Sequence, residues 1–475
     1  MTLPQIIAFS LFSLLVGWLA PARVRLWLLL GGSLIGVFIL QSTLPIRGLD
    51  FWLPCLSIGL TLLVWVTTLS KEIHDRRPNL VTLGIVAGFI LVLGLTRYLG
   101  SWCCLTPSRP PQIGVVLFIL VLSTGIAILI YIRTPPRRGF AALAIVMITG
   151  LFIILKSAAL AQLASMILRQ TTGQDISLAN RLDIIWLGFS YLVFRLIHVL
   201  RDYQAGKLPL FSAKEFVTYA LFFPALTAGP LDRSQRFIQT DLRSMSSPSQ
   251  QDRLKGAQRI TYGIFKKFVI ADTLAIIALN PQNALQVQST AWMWVLLFAY
   301  AFRLYYDFSG YTDVALGMGM LVGIHLPENF AQPYLKPNLT AFWNSWHITL
   351  AQWFRAYFFN PLTRSLRASP RQLPAWLIIF TGQLTTMLLI GLWHGISWNF
   401  AIWGLWHGCG LFIHNRWSNG LRVRLSSIEQ HRRLRQGVKL SGWLLTFLYV
   451  SLGWVWFAMP NVQAARYVFA TLLGL

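Results

Sequence analysis

Residues 113–132 read IGVVLFILVLSTGIAILIYI, a run of twenty residues without a charged side chain. Because an α-helix rises about 1.5 Å per residue, a run of this length crosses the roughly 30 Å hydrocarbon core of a bilayer. Similar runs recur along the 475-residue chain, which is 55% hydrophobic and only 12% charged, about half the charged share of a soluble domain. The sequence therefore predicts an all-α, polytopic membrane protein.

Outward from this run, about eleven apolar segments are long enough to span a bilayer as helices. These segments are 3–20, 26–44, 51–70, 80–100, 113–132, 140–161, 184–200, 291–308, 376–392, 400–413 and 440–459. The stretches 216–229 and 260–278 are shorter or carry paired lysines, and we expect them to form re-entrant or interfacial helices.

The net charge of +25 would indicate nucleic-acid binding in a soluble protein. Here the positive charges fall in the connections between apolar runs, so we predict that they set the orientation and contact lipid headgroups, with no nucleic-acid partner. The predicted cytoplasmic loops contain Arg23 and Arg25; Lys71, Arg76 and Arg77; Arg133, Arg137 and Arg138; residues 232–259; Arg364, Arg367 and Arg371; and residues 416–439. The first run lacks a preceding positive segment, which favours a retained span with an outside N-terminus over a cleaved signal peptide.

The character of the apolar segments changes along the chain. Residues 1–170 are rich in Leu, Ile, Val and Gly, and we interpret them as a transmembrane scaffold. From about Leu182 the apolar segments also carry His, Arg, Asp, Asn and clustered Trp. Because polar groups inside a membrane are costly unless they are paired or line a cavity, residues 171–475 are predicted to form the functional core.

The stretch 305–361 contains a periodic set of aromatic residues. Trp343, Trp346, Leu350, Trp353 and Tyr357 recur at steps of three and four, which predicts one helix with a largely aromatic face, and His347 falls on that face. A histidine in this position is either a structural hydrogen-bonding group or a site residue, and the spacing leaves both readings open.

A second stretch, 391–408, reads GLWHGISWNFAIWGLWHG. Glycines flank His394 and permit close approach of a ligand or helix, while Trp393 and Trp398 are expected to exclude water. Imidazole titrates near neutral pH, so His394 is suited to remove a proton from an attacking hydroxyl.

Other chemistries have weaker support in the sequence. His394 and His407 lie thirteen residues apart, which is not the spacing of a helical zinc pair, so no metal site is predicted. No GxSxG motif or phosphate-binding glycine loop is present either. The four cysteines (Cys55, Cys103, Cys104 and Cys409) do not suggest a disulfide framework or a CxxC site.

Several ordered blocks resemble the membrane-bound O-acyltransferase family, in its bacterial branch that includes the membrane subunits of alginate O-acetylation and teichoic-acid D-alanylation. The blocks are GFSYLVFR (188–195), FFPALTAGPLDR (222–233), GIFKKFVIAD (263–272), YDFSGYTD (306–313), LPENF (326–330), FWNSWH (342–347) and LWHG (392–395). The resemblance implies a ring of helices around a tunnel, with His394 as the catalytic histidine and His347 as the second active-site position. Residues in or beside the blocks are then expected to contact substrates: Trp393, Trp398, Asn399, Trp346, Asp307 and Arg233.

The function implied by this resemblance is O-acyl transfer at the inner or plasma membrane. A cytosolic acyl thioester, such as acetyl-CoA, would donate to a hydroxyl on an extracytoplasmic polysaccharide, an envelope polymer or a partner protein, with no tightly bound cofactor. His394 would act as the base and His347 as a donor to the oxyanion. An extracytoplasmic SGNH-type transferase is the expected partner, besides membrane lipids.

Alternatives and departures accompany this prediction. D-alanyl transfer to a teichoic-acid-type polymer, transport or flipping of a substrate, and a non-catalytic scaffold are the other functions considered. The family block usually continues Trp-Phe-Arg-Asp-Tyr, but this chain has Ala356 in place of the acid. Asn344 and Ser345 stand where alginate-type members commonly carry a basic pair.

Overall fold

A computed structural model of the chain describes residues 1–69, 76–100, 106–133, 137–370, 372–420 and 432–475. The regular structure of these residues is helical, with no strand among them. Lys71, Cys103, Cys104, Arg371 and residues 421–431 of the predicted basic cluster lie outside the described residues. The predicted all-α polytopic class is confirmed.

Twenty α-helices follow one another along the described residues. They are α1 (Leu3–Leu19), α2 (Ala22–Ile39), α3 (Leu49–Thr68), α4 (Arg76–Leu95), α5 (Ile113–Ile132), α6 (Arg138–Lys156), α7 (Ala158–Thr171), α8 (Phe189–Gln204), α9 (Ala213–Ala220), α10 (Gln250–Ile264), α11 (Asp272–Ile277), α12 (Pro281–Gln286), α13 (Thr290–Val322), α14 (Leu339–Trp343), α15 (Ile348–Phe354), α16 (Asn360–Arg367), α17 (Ala375–His394), α18 (Trp398–Gly420), α19 (Arg432–Ala458) and α20 (Val462–Leu473). Wider π-helical turns at Arg236–Leu242, Phe265–Ala271 and Arg355–Phe359 interrupt this pattern.

Within the described residues, seven helices are long and apolar enough to cross a membrane. They correspond to α2, α3, α4, α5, α6, α17 and α19. The other four predicted spans are also helical, as α1, α8, α13 and α18. Helix α1 has only 17 residues and α8 only 16. Helices α13 and α18 are longer, but polar side chains make them less apolar, as expected for the functional core.

The chain divides into two compact units. The first contains residues 1–261 and 314–327, and the second contains residues 262–313 and 328–475. Helix α13 contributes residues to both units because it runs across residue 313. The boundary near residue 170, which was drawn from composition, stays a prediction.

Two arginines of the first unit correct the expectation that the connecting cations meet lipid headgroups. Arg25 is fully buried and donates to the carbonyl oxygens of Gly17 and Ala20. Arg137 is also buried, and it donates to the carbonyl oxygen of Leu69. Unpaired carbonyls at helix ends are good acceptors for a guanidinium with several donors, so these two cations join chain segments instead.

The predicted re-entrant stretch 216–229 consists of the end of α9 and a single 3₁₀ turn at Phe223–Ala225. Arg195, from the buried helix α8, donates to the carbonyl oxygens of Ala220 at 2.9 Å and Ala225 at 2.6 Å. One buried side chain of α8 therefore binds the last residue of α9 and the last residue of the 3₁₀ turn.

In the second unit, α17 and α18 form a closely packed helical hairpin. A Cβ atom on Gly391 would lie 2.2 Å from the carbonyl oxygen of Phe400, and one on Gly404 would lie 2.5 Å from that of Met387. Real Cβ atoms do not approach so closely, so only glycine allows the two backbones to meet. This contact fixes the position of the end of α17, where His394 lies.

The single aromatic helix predicted between Trp343 and Tyr357 is wrong. Helix α14 ends at Trp343, α15 begins at Ile348, and His347 between them has φ 43° and ψ 53°. This left-handed conformation breaks the helical hydrogen-bond pattern, which the side-chain spacing could not reveal.

Candidate active site

His394 is the last residue of α17, and the chain turns within three residues to begin α18 at Trp398. Aromatic rings surround its half-buried imidazole. The ring centroids of Trp393, Trp403 and Phe457 lie 4.5, 5.6 and 4.8 Å from that of His394. The end of a helix presents a histidine in a mostly apolar enclosure, which suits a base that must stay neutral until substrate arrives.

His347 also contacts the indole of Trp393, with their ring centroids 6.1 Å apart. Phe308 of α13 packs edge-on against it at 4.8 Å. The imidazole is buried, and its Nδ1 lies 3.2 Å from Oδ1 of Asn329. Sequence blocks far apart in the chain therefore bring both predicted catalytic histidines to one shared aromatic wall.

The backbone of His347 is strained in a way that the chain maintains. A non-glycine residue in the left-handed region costs about 1–3 kcal/mol and persists only where surrounding contacts hold it. The N–H of Ile348 donates to the carbonyl oxygen of Asn329 at 3.0 Å, and Ala331 N–H donates to the carbonyl oxygen of Ser345 at 3.0 Å. The 329–331 loop therefore braces the turn that presents His347.

The predicted substrate-contacting residues of the hairpin fall in different environments. Trp393 contacts both histidines. Asn399 is buried and uses its amide to donate to the carbonyl oxygen of Met459 at 2.8 Å, joining α18 to the end of α19. Trp398 is 78% exposed, so the structure does not support its expected role of excluding water.

Trp346 and Asp307 also belong to the second unit. Trp346 is buried, stacking on Phe342 at 5.7 Å and contacting Trp454 at 5.2 Å between ring centroids. Asp307, whose side chain is 48% exposed, forms an ion pair of 2.5 Å with Lys267. Arg233 belongs to the first unit, where its side chain is exposed and its backbone N–H donates to Asp232.

A second ion pair lies six residues further along α13. Lys266 Nζ is 2.6 Å from Asp313 Oδ2, and the side chain of Asp313 is only 11% exposed. Consecutive lysines of one π-helical turn thus pair with two acids of α13. A Cβ on Gly310 would lie 2.7 Å from the carbonyl oxygen of Gly263, so the two segments also meet backbone to backbone.

Sequence reasoning missed the significance of Asn329 and underestimated His407. In the sequence, Asn329 is one residue of the LPENF block, and His407 was considered only as a metal ligand, with unsuitable spacing from His394. His407 is fully buried between Trp343 and Trp403, and neither ring nitrogen has a hydrogen-bond partner in the part of the chain that the structure covers. Over the same residues, no three His, Cys, Asp or Glu side chains come together as a metal site would require.

A cavity of about 200 Å³ lies beside Trp343, which packs against His407. Its exposed mouth carries Asn344 and Arg355, and its floor includes Trp343, Gln383 and Ile390. Ile390 precedes His394 by four residues on α17, which is one helical turn. The cavity therefore carries a polar, cationic group at its exposed side and reaches Ile390, one turn before His394, while His394 itself does not line it.

Comparison of the sequence with known proteins identifies the family. A sequence profile of the membrane-bound O-acyltransferase family matches residues 140–456, which include both histidines. The chain is 36% identical over 289 residues to the probable alginate O-acetylase AlgI of Azotobacter vinelandii, covering 61% of this chain and 54% of that one. It is 35% identical over 269 residues to the peptidoglycan O-acetyltransferase of Helicobacter pylori, covering 56% and 48%.

The chain is also 33% identical over 249 residues to the teichoic acid D-alanyltransferase of Streptococcus thermophilus, covering 49% of this chain and 57% of that one. It spans about half the length of the curated relatives it matches. The profile, in contrast, covers well over half of this chain and includes parts of both units. The chain belongs to the membrane-bound O-acyltransferase family.

Proposed function

We propose that this protein transfers an acyl group, in first place acetyl, from a thioester to a hydroxyl, with His394 as the base. The observation that carries the proposal is the placement of His394 at the end of α17, sharing the indole of Trp393 with His347 inside the family-matched region. Two of the named relatives are O-acetyl-transferring proteins and one is a D-alanyltransferase, and all three names describe acyl transfer.

The chemistry needs one proton acceptor and one apolar enclosure. The hydroxyl oxygen attacks the thioester carbonyl while the Nε2 or Nδ1 atom of His394 takes the hydroxyl proton. Collapse of the tetrahedral intermediate breaks the carbon–sulfur bond, and the same proton passes from the imidazolium to the departing thiolate. The rings of Trp393, Trp403 and Phe457 keep the surroundings poorly solvated, which strengthens each polar interaction with the developing charge.

The finer features of the function are part of the same proposal. The donor is a cytosolic thioester such as acetyl-CoA, bound as a substrate and not as a resident cofactor. The cationic mouth at Arg355 is suited to a phosphate of such a donor. The protein acts in the inner or plasma membrane, and the acyl group passes to an extracytoplasmic polysaccharide or envelope polymer, directly or through an SGNH-type partner.

The test uses membranes of cells that express the full chain, supplied with acetyl-CoA labelled in the acetyl group. Wild-type membranes should transfer label to acid-precipitable envelope material, and His394→Ala should lower the rate by at least about 100-fold, because general-base catalysis supplies about 10²–10⁴. His414→Ala, which changes another histidine on α18, is the matched control and should retain the rate.

Two results would contradict the proposal. Wild-type rates in His394→Ala would remove the base, provided that the variant protein is present in the membrane at the wild-type amount. Movement of a substrate without consumption of any acyl thioester, in parallel reactions with acetyl and D-alanyl thioesters, would favour the transporter instead.

A further inference from the structure

Asn329 makes an unusual set of contacts around His347. It lies in the loop after α13 and has no exposed surface. Its Oδ1 atom accepts from the backbone N–H of Thr349 at 3.2 Å and from the Thr349 hydroxyl at 2.9 Å, and Nδ1 of His347 lies 3.2 Å away. The carbonyl oxygen of Asn329 accepts from Ile348 N–H at 3.0 Å. One residue thus binds the imidazole and both residues that follow it.

These contacts hold the backbone of His347 in place. His347 has a positive φ of 43°, a conformation that few non-glycine residues adopt and that neighbouring contacts must maintain. The two N–H groups immediately after it both donate to Asn329, one to the main chain and one to the side chain. The left-handed turn and the position of the imidazole therefore depend on the same residue.

The contacts also decide which nitrogen of His347 carries the proton. A backbone N–H can only donate, so the side-chain atom of Asn329 that faces Thr349 N–H must be the oxygen and not the amide nitrogen. An amide oxygen can only accept, so the nitrogen of His347 that faces it must be protonated. In the neutral ring the proton is therefore on Nδ1, and the lone pair is on Nε2.

The other end of the amide points to function. The Nδ2 atom of Asn329 is buried and has no hydrogen-bond partner in residues 1–69, 76–100, 106–133, 137–370, 372–420 and 432–475, which the structure describes. Buried polar atoms are nearly always paired, and an unpaired one in a native fold calls for an explanation. The chain keeps an unsatisfied donor here because the oxygen of the same side chain is needed at His347.

We propose that Asn329 is a positioning residue that holds His347 with its proton on Nδ1, so that Nε2 serves as a hydrogen-bond acceptor toward the substrates. This rests on the proposed function of the site and deepens it. The sequence predicted that His347 donates a hydrogen bond to the oxyanion. A neutral His347 protonated on Nδ1 cannot donate from Nε2. His347 instead accepts from an N–H or O–H group of a substrate, while His394 remains the base.

The test combines spectroscopy with kinetics on the full chain in membranes. In protein labelled with ¹⁵N-histidine, the His347 signals are assigned by their loss in His347→Asn, since asparagine tolerates a positive φ. We expect the wild-type signals of a neutral ring protonated on Nδ1. Asn329→Leu should shift these signals and lower kcat by about 10- to 100-fold, the usual effect of losing a partner that orients a site residue, with KM for acetyl-CoA little changed. Asn329→Asp, which keeps the acceptor, should restore the tautomer and most of kcat.

Asn338→Leu is the matched control, because Asn338 in the same unit also accepts from a backbone N–H, that of Ala341, without contacting a histidine. It should leave the His347 signals and kcat unchanged. Protonation of wild-type His347 on Nε2 would overturn the proposal, as would wild-type kcat in a folded Asn329→Leu. Because the tautomer is measured without turnover, a wild-type protein with Nδ1–H but no acyl transfer would instead contradict the proposed function alone.

Discussion

Helix α5 and helix α17 of the hairpin are both apolar enough to cross a membrane, yet their glycines lie in opposite surroundings. In α5 only 6% of the most apolar window is buried, and a Cβ added to Gly114 or Gly125 meets nothing within 4 Å. In the hairpin, a Cβ on Gly391 or Gly404 would collide with the backbone of the facing helix. The exposed apolar residues of α5 suit contact with lipid, whereas the glycines of the hairpin pack against the facing helix. Of the two regions, only the hairpin contains histidine.

The largest effect is expected where the two helices of the hairpin meet backbone to backbone. Gly391→Val places side-chain atoms where the carbonyl oxygen of Phe400 lies, only 2.2 Å from a Cβ, so the hairpin must open. We expect a loss of more than about 4 kcal/mol in the free energy of unfolding and no acyl transfer, because overpacking here meets backbone rather than a flexible side chain. Thermal unfolding in detergent and labelled acetyl transfer measure the two effects.

The same substitution in α5, Gly125→Val, is the matched control. It faces open space, and we expect a change in unfolding free energy within about 0.5 kcal/mol. Equal destabilisation by the two variants would show that close backbone approach does not distinguish the hairpin from α5.

The second prediction concerns charges inside the apolar segments of the second unit, which α5 lacks altogether. Asp313→Asn removes the anionic partner of Lys266 from a side chain that is 11% exposed. Because the lysine left behind is 29% exposed, we expect a cost of about 1.5–3 kcal/mol, typical of a lost hydrogen bond to a charged group. Asp307→Asn should cost only about 0–1 kcal/mol, because Asp307 is 48% exposed. Thermal unfolding of both variants checks the order, and an Asp307 variant that is the less stable of the two would reverse it.

The third prediction separates a structural from a substrate-binding asparagine in the hairpin. Asn399→Ala leaves the carbonyl oxygen of Met459 without its donor in a buried place, and we expect a cost of about 1–3 kcal/mol. KM for acetyl-CoA should stay at the wild-type value. A raised KM with unchanged stability would restore the role that the sequence predicted for Asn399.

Trp398→Ala is the neighbouring control for that experiment. Because Trp398 is 78% exposed, its truncation should change the unfolding free energy by no more than about 0.5 kcal/mol.

The fourth prediction is the smallest and has the opposite sign. Gly125→Ala in α5 should raise the free energy of unfolding by about 0.5–1 kcal/mol, because alanine loses less conformational freedom than glycine on forming a helix and nothing obstructs its Cβ. Thermal unfolding in detergent measures the gain. A loss of stability would mean that α5 is packed against something that its open surface does not indicate.

The sequence was a good guide where one residue type has one physical use. Runs such as 113–132 predicted helices because hydrocarbon excludes charge, and glycines beside His394 predicted close backbone approach. It failed where side-chain spacing was taken as a record of backbone conformation. The aromatic period through His347 fits one helix, but the left-handed residue divides it into two.

The sequence alone determined the class of protein, and it predicted which two histidines form the candidate site. The length of an apolar run and the order of sequence blocks depend only on the sequence, so they can be read without a structure. Only the tertiary structure brought His347 and His394 to one indole, and only it placed Asn329 against Nδ1 of His347. The tautomer of an imidazole depends on the partner across the fold, and no spacing along the chain specifies that partner.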